Sequence, residues 1–409
     1  MNNYLIVGRN FSALKNKILE RGDEYILLQD VLATKFPDKK FKRRVVADFT
    51  DKQALLRTVE QFRGKVDGVI TTYENYVLPA SWIANYLGLP GLPEESAEAC
   101  TDKSLMRERF ATAAQKISPD YAEINNEDDV ANFAKNHPFP LIIKPANLSK
   151  SLLVTKAHNN VELISNYRRT LKNIDSTYKK YAPGRKPKLI IEEFMEGPVF
   201  SVDAFVDAHG EPHVLDQVVD YQTGYDIGYD DNFHYSRLLP SYLSEKEQQA
   251  IRDVAYLGCK ALGMKGSSAH IEIILTKEGP RIVEIGARNG GYRERMYSLA
   301  NGIDIFGLAL DNSLGKPLDI KTTKDEPCAV LELFPKQPGI FIGINDQDKL
   351  EKLQSLQYLK IKQPVGKFIG KSSEGFKMAA IIILHNKSRD AFDRDLKFVN
   401  YHVHIITRA

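Results

Sequence analysis

Residues 270–291 read HIEIILTKEGPRIVEIGARNGG. Two isoleucine-rich runs flank a turn at Lys277–Pro280, which predicts a β-hairpin. Each run carries one glutamate, Glu272 and Glu284. Burying even a neutral polar group without a partner costs roughly 2–7 kcal/mol, and a charge costs more. Something positive must therefore meet these carboxylates. Paired antiparallel strands can bring both to one face. Like charges repel there unless a divalent cation lies between them, and an all-oxygen ligand set suits Mg²⁺. The same alternation also fits an ordinary polar outer face. Arg288 and the Gly290–Gly291 pair follow at once. A guanidinium beside such carboxylates can hold a transferring phosphoryl group, and glycines let backbone N–H groups approach an anion.

Two lysines extend the pattern. Lys144, in LIIKPA, ends an apolar strand at a sheet rim, and Lys103, in TDKSLMRERF, lies in the first turn of a helix. A lysine so placed meets phosphate as a point charge, although an isolated lysine reads as solvated surface.

Upstream, YLIVGRN and DGVITTYE are short apolar strands, and DKQALLRTVEQFRG and LPASWIANYLG are helical. Strands alternating with helices predict a parallel α/β domain. The single glycine after the first strand is no GxGxxG and reads as a structural turn. A Gly/Pro-rich stretch marks the exit near residue 95. Then come further strands, the helix EKEQQAIRDVAYLGCKALGM with its glycine stop, and the hairpin. Beyond Pro317 the apolar strands PCAVLELFP and MAAIIILHN and a helix over QDKLEKLQSL predict an α+β unit. The expected division is 1–95, 96–318 and 319–409, in a chain of mixed α/β and α+β class.

The 409 residues carry a formal charge of +3, with 43% hydrophobic and 27% charged residues. These values fit a globular protein and give no argument for nucleic acid or membrane partners. Cys100, Cys259 and Cys328 form no CxxC pair, which fits a reducing compartment. No signal peptide or membrane span is read, so a cytoplasmic location is expected. The basic PDKKFKRR run reads as a solvated loop.

In order and spacing, Lys103, Lys144, IIEEFMEGP and HIEII…IVEIGAR resemble the ATP-grasp superfamily. DGVITTYENYVLPASWIANYLGLPG resembles the domain that precedes ATP-grasp modules in carboxylate–amine ligases. The hairpin looks most like the branch of L-amino-acid ligases and carnosine-synthase-type enzymes. The resemblance implies an N-terminal pre-ATP-grasp domain, a two-lobed ATP-grasp module and a small C-terminal unit. Lys103 and Lys144 would hold the ATP phosphates, with Ser149 and Ser151 adding contacts from the flap. Glu192, Glu193, Phe194 and Met195 would meet the adenine edge, with Met195 and Val283 sandwiching the ring. Glu272 and Glu284 would bind one or two Mg²⁺ or Mn²⁺ ions. Arg288 would stabilise the transferring phosphate. The implied reaction joins a small carboxylate and an amine, expected to be amino acids, through an acyl phosphate. The C-terminal unit either closes over the substrate or pairs subunits into a homodimer, and the sequence leaves both open.

The chain departs from the family in three places. The flap reads ANLSKSLLV, without glycine; Val199 replaces a ribose-binding glutamate; Gly286 stands where many members carry a metal-binding asparagine. Four readings follow: a carboxylate–amine ligase, a carboxylating or purine-pathway ligase, an enzyme tailoring a peptide or natural product, and a non-catalytic ATP-binding module. Retention of Glu272, Glu284 and Arg288 together favours catalysis. Candidate substrate residues are Glu74 at a strand's carboxyl end, His234 and Arg237 in the tyrosine-rich 220–241 stretch, His270, Gly290, Gly291 and Arg293. Each also has a structural reading as cap, core anchor or helix surface.

Overall fold

The computed structural model describes residues 1–9, 11–33, 43–148 and 152–409. The expected contacts of Ser149 and Ser151, and most of the basic 37–44 run, lie outside the described residues.

The chain opens with a parallel sheet. β1 (Asn3–Gly8), β2 (Glu24–Asp30), β3 (Arg44–Ala47) and β4 (Gly68–Ile70) lie in the order β3-β2-β1-β4, with α1 (Ser12–Glu20), α2 (Lys52–Val59) and α3 (Val77–Leu87) alongside. Tyr4–Val7 of β1 are buried, as the continuous apolar run of a covered parallel strand requires. Gly8 has φ +108°, and a β-carbon there would lie 2.0 Å from the Tyr76 ring. This glycine is a turn that seats Tyr76, and Tyr76 anchors the short 3₁₀ turn that begins at Glu74.

α4 (Glu94–Thr101) and α5 (Lys103–Phe110) lead into an antiparallel sheet of β5 (Tyr121–Ile124), β6 (Leu141–Pro145), β7 (Thr155–Ala157) and β8 (Leu189–Glu193), ordered β5-β8-β6-β7. α6 (Glu127–Asn136) and α7 (Asn160–Tyr181) accompany it. Asn126 and Asp129 form a capping box, and Asn159 accepts from the Glu162 N–H, so both helices start where their orphan donors are met.

The largest sheet has eight strands. It contains β9 (Val199–Val206), β10 (Pro212–Thr223), β11 (His234–Leu239), β12 (Ser267–Thr276), β13 (Gly279–Gly286) and β14 (Cys328–Leu333). β15 (Gly339–Ile344) lies outside it, whereas β16 (Leu356–Ile361) and β18 (Ala380–His385) join it. The order is β13-β12-β9-β10-β11-β14-β18-β16, while β15, β17 (Phe368–Ile369) and β19 (Ile405–Arg408) form a separate small sheet. α8 (Glu245–Ala261), capped by a Ser244–Glu247 box, packs on β10 and β13. α9 (Arg293–Ala300), α10 (Ile305–Ser313), α11 (Gln347–Leu350) and α12 (Arg389–His402) complete the chain.

The eight-stranded sheet crosses residue 318, because β11 pairs with β14. The apolar β14 and β18 are buried strands continuing the sheet that carries the hairpin. The helix expected over QDKLEKLQSL shortens to the single turn α11, and the chain is drawn by Leu356 into β16, paired with β18. The tyrosine-rich stretch, expected as a loop, is a connection over residues 224–233 framed by the ends of β10 and β11, with Tyr221 and Tyr235 buried in those strands.

Candidate active site

β12 and β13 pair in antiparallel register, with Glu272 directly opposite Glu284 and a bulge between Glu272 and Ile273. The two carboxylates are thus cross-strand neighbours, as the sequence implied. β13 is the sheet's edge strand. Between it and the β5–β8 sheet lies a cavity of about 290 Å³, lined by Lys103, Lys144, Glu192, Met195, Glu272 and Glu284 among others. Glu193, Phe194, Val199, His234 and Val283 also line it.

The opening residue of α5 meets Glu284. Lys103 Nζ lies 2.8 Å from Glu284 Oε2. Asp102, which accepts from the Ser104 N–H, starts the helix, and the Lys103 N–H donates to Ala146 O at 2.7 Å. The Lys103 ammonium holds Glu284 below the usual carboxylate range, against burial and the repulsion of Glu272. Burial would lower Lys103 itself, but Glu284 outweighs it and raises the ammonium. The protein's own positive partner for Glu284 is therefore Lys103.

Lys144 and Glu192 are diagonal neighbours across β6 and β8, Lys144 lying opposite Ile190 and Glu192 opposite Ile142. Lys144 Nζ is 2.6 Å from Glu192 Oε2, and Arg107 Nε is 3.0 Å from Glu192 Oε1. Burial, with the nearby Arg107 and Lys103 cations opposing the pull of Glu192, lowers Lys144 to about 8. Burial alone would raise Glu192, but the two flanking cations hold it ionised. Both Glu192 oxygens are thus engaged within the protein. Glu193, Phe194 and Met195 line the cleft, the Glu193 and Phe194 N–H groups donate to Asp120 O and Pro140 O, and the Glu192 carboxylate fixes Lys144. Met195 and Val283 both line the cleft, with Ile142, Leu152, Val154 and Ile274 as further apolar walls.

Arg288 turns to the N-terminal domain. Its Nε is 3.0 Å from Glu74 Oε2, and its Nη1 donates to Asn289 O at 3.1 Å. A β-carbon at Gly286 would lie 2.8 Å from that same Glu74 oxygen. The absent side chain at 286 thus leaves room for a carboxylate from another domain. Gly286, Glu74, Lys103 and Glu284 together line a narrow pocket of about 30 Å³.

Beneath the hairpin lies a buried ionic cluster. Asp203 Oδ1 is 2.9 Å from His270 Nδ1, while Asp203 Oδ2 accepts from Arg293 Nε and from the Tyr297 hydroxyl, each at 2.9 Å. Arg293 also donates to Ser201 and Tyr221. His270 Nε2 reaches within 3.7 Å of Glu272. Burial would lower His270, but the Asp203 carboxylate raises it to about 9. Burial would likewise raise Glu272, yet His270, His234 and Arg288 hold it well below the usual carboxylate range.

The candidate substrate residues fall in different surroundings. Arg293 is wholly buried, bound to Asp203, and does not open onto the cleft. His270 is buried between Asp203 and Glu272. Arg237 is buried, 3.5 Å from Glu332, with its guanidinium over the Tyr221 and Tyr292 rings. Gly290 serves packing, since a β-carbon there would meet the His270 ring at 2.6 Å. Gly291 is exposed, with open space around it. His234 does line the cleft, its ring edge-on to Tyr221 at 4.6 Å, and burial lowers its imidazole.

Two buried charged groups beside the cleft escaped the sequence reading. Arg107, in the charged MRERF stretch, holds both Glu192 and Val283 O. Asp203 sits in the apolar FSVDAFV strand, the same signal that exposed Glu284. Among the described residues, Asp120, His137 and Glu193 have potential metal-binding atoms within 4.8 Å of one another. Lys116 already meets two of them, at 2.9 Å from Asp120 and 3.2 Å from Glu193. No helix of the described residues is long and apolar enough to cross a membrane.

Residues 137–294 match the family model described as an ATP-grasp domain. The curated alanine–anticapsin ligase of Bacillus subtilis (strain 168) is 24% identical over 295 residues, covering 69% of this chain and 60% of that protein. An uncharacterized protein of Sinorhizobium fredii is 21% identical over 319 residues, covering 77% of this chain and 63% of that protein. The chain therefore spans less than two thirds of the length of these curated relatives. The solved L-amino acid ligase of Bacillus licheniformis shares the fold at a TM-score of 0.84, with 22% identity, over 100% of this chain and 99% of that one.

Proposed function

We propose that this protein is an ATP-dependent carboxylate–amine ligase that joins amino acids through an acyl phosphate and releases ADP and phosphate. The observation that carries the proposal is the pairing of Glu272 and Glu284 across one hairpin, in a cleft also lined by Lys103 and Lys144. The alanine–anticapsin ligase and the L-amino acid ligase among the similar proteins support it. In this reading residues 1–95 and 319–409 flank a catalytic module at 96–318.

ATP-grasp ligases use ATP and Mg²⁺ in general. Glu272 and Glu284 fit such an ion: they offer oxygen donors only, and their adjacent like charges call for a cation. Bound there, Mg²⁺ would neutralise phosphate charge. Lys103 would exchange Glu284 for a phosphate, and Lys144, held by Glu192, would meet another. Arg288 would hold the γ-phosphate as a substrate carboxylate oxygen attacks phosphorus and the bond to ADP breaks. The amine nitrogen then attacks the acyl carbon, phosphate leaves with the bonding electrons, and one net proton passes to solvent. The chain's contribution is positioning and charge neutralisation.

The test is phosphate release with ATP, Mg²⁺ and amino acids supplied singly and in pairs. Release that needs two amino acids and falls on the order of 1,000-fold in Glu284→Gln supports the ligase. Formation of AMP and pyrophosphate, or ATP binding without turnover across the panel, overturns it.

A further inference from the structure

A cavity of about 630 Å³ lies outside the nucleotide cleft, between α3, α5, α7 and the strand entering β8. Leu78, Leu105, Ile124, Leu171 and Ile174 give it an apolar wall. Arg185, from the connection between α7 and β8, stands in that wall. The narrow pocket beside Glu74, Lys103 and Glu284 is lined by Arg185 too, and the two spaces also share Thr101 and Asn147. The cavity thus adjoins the reacting end of the site through Arg185.

Arg185 is an incompletely used cation. Its Nη1 donates to Asn147 O at 2.9 Å, and among the described residues no carboxylate lies within ion-pair distance of it. Lys188, the neighbouring cation of the same cavity, is by contrast held by Asp102 and Glu123, each at 3.2 Å. Burial lowers Arg185 below the usual guanidinium value, and the more distant Glu74 and Asp102 only partly offset it. A half-buried guanidinium with an open fork matches a carboxylate bidentately.

We propose that this cavity seats the second, amine-bearing substrate, with Arg185 binding its carboxylate and the apolar wall receiving its side chain. The assignment rests on the ligase reading and adds to it a seat for the acceptor and that seat's selectivity: a free carboxylate on Arg185 and an apolar side chain against the wall. Its amine then points along the narrow pocket toward Lys103 and Glu284.

The experiment is calorimetric titration of the full chain, with Mg²⁺ and a non-hydrolysable ATP analogue, by glycine, leucine and phenylalanine and by the carboxamide of each. Leucine and phenylalanine are expected to bind the wild type on the order of 100-fold more tightly than their carboxamides, and Arg185→Gln is expected to erase that difference. Leu171→Trp, at a half-exposed wall position, is expected to weaken phenylalanine while sparing glycine. No binding of any amino acid to the wild type overturns the proposal, as does an undiminished carboxylate preference in Arg185→Gln. Hydroxamate formation from ATP, L-alanine and hydroxylamine reads the ligase reaction separately, because hydroxylamine has no carboxylate. Amino acids that bind through Arg185 without any hydroxamate would sink the ligase reading and leave the pocket standing.

Discussion

Lys144 Nζ lies 2.6 Å from Glu192 Oε2, and the same carboxylate is gripped on its other oxygen by Arg107. One acid shared between two cations leaves Lys144 only partly compensated. That arrangement, not a free lysine at a strand end, presents positive charge to the cleft.

The first prediction follows from Lys144, lowered to about 8 by burial and the neighbouring cations. ATP phosphates favour its charged form, so binding is flat below pH 8. Above pH 8 the free protein must take up a proton to bind, and affinity is expected to fall about tenfold per pH unit. Lys144→Arg should remove the dependence, because a guanidinium stays charged. For stability the shift acts as follows. The unfolded lysine titrates at 10.5, above the folded value. Between the two the unfolded chain binds more protons, so this group's contribution rises with pH across that window and is lost as pH falls through 8. Nucleotide titrations between pH 7 and 9.5 check the binding claim, and an unchanged dissociation constant refutes it.

The second prediction separates two arginines on α5. Arg107 is 1% exposed and serves Glu192 and Val283 O, whereas Arg109 pairs with the largely exposed Glu95 at 3.2 Å. Arg107→Ala strands the buried Glu192 with one cation fewer, which should cost about 3–5 kcal/mol. Arg109→Ala should cost about 0–1 kcal/mol. Denaturant midpoints of the two variants decide; similar losses would show that Arg107 is no internal brace.

How much of this was legible follows from where each partner sits in the chain. The hairpin was readable because its turn and alternation are local, and its register then placed Glu272 opposite Glu284. Lys103 and Lys144 were readable as cations at element ends. The Arg288–Glu74 pair spans 214 positions, and no local pattern encodes it. Arg107 carries no local sign of burial, because Glu108 and Arg109 flank it; Glu192 and Val283, its partners, lie 85 and 176 positions away. Arg293 misled for the same reason: a helix-start arginine reads as surface until Asp203, ninety positions away, is placed beside it. The carboxyl-terminal strands were read as apolar, but their joining the sheet that carries the hairpin is a matter of which strand edge was left open by β11.

The last prediction concerns the glycine pair that the sequence offered as an anion cradle. Gly290 and Gly291 differ in surroundings. A β-carbon on Gly290 would lie 2.6 Å from His270 Nδ1 and 2.7 Å from Arg293 Cγ, while one on Gly291 meets nothing within 4 Å. Neither glycine has the positive φ that would strain alanine, so packing alone separates them. His270 and Arg293 are both tied to Asp203 and cannot yield independently. Gly290→Ala should therefore destabilise by about 1–3 kcal/mol, as overpacking of a filled core does. Gly291→Ala should lie between neutral and about 1 kcal/mol more stable, because alanine restricts the unfolded chain. Both substitutions keep the backbone N–H, so an anion held by those groups would not distinguish them. Thermal unfolding of the two variants without nucleotide is the measurement. A lower midpoint for Gly290→Ala alone assigns Gly290 to the packing of the Asp203 cluster beneath Glu272; equal midpoints would return the pair to the role of a permissive loop.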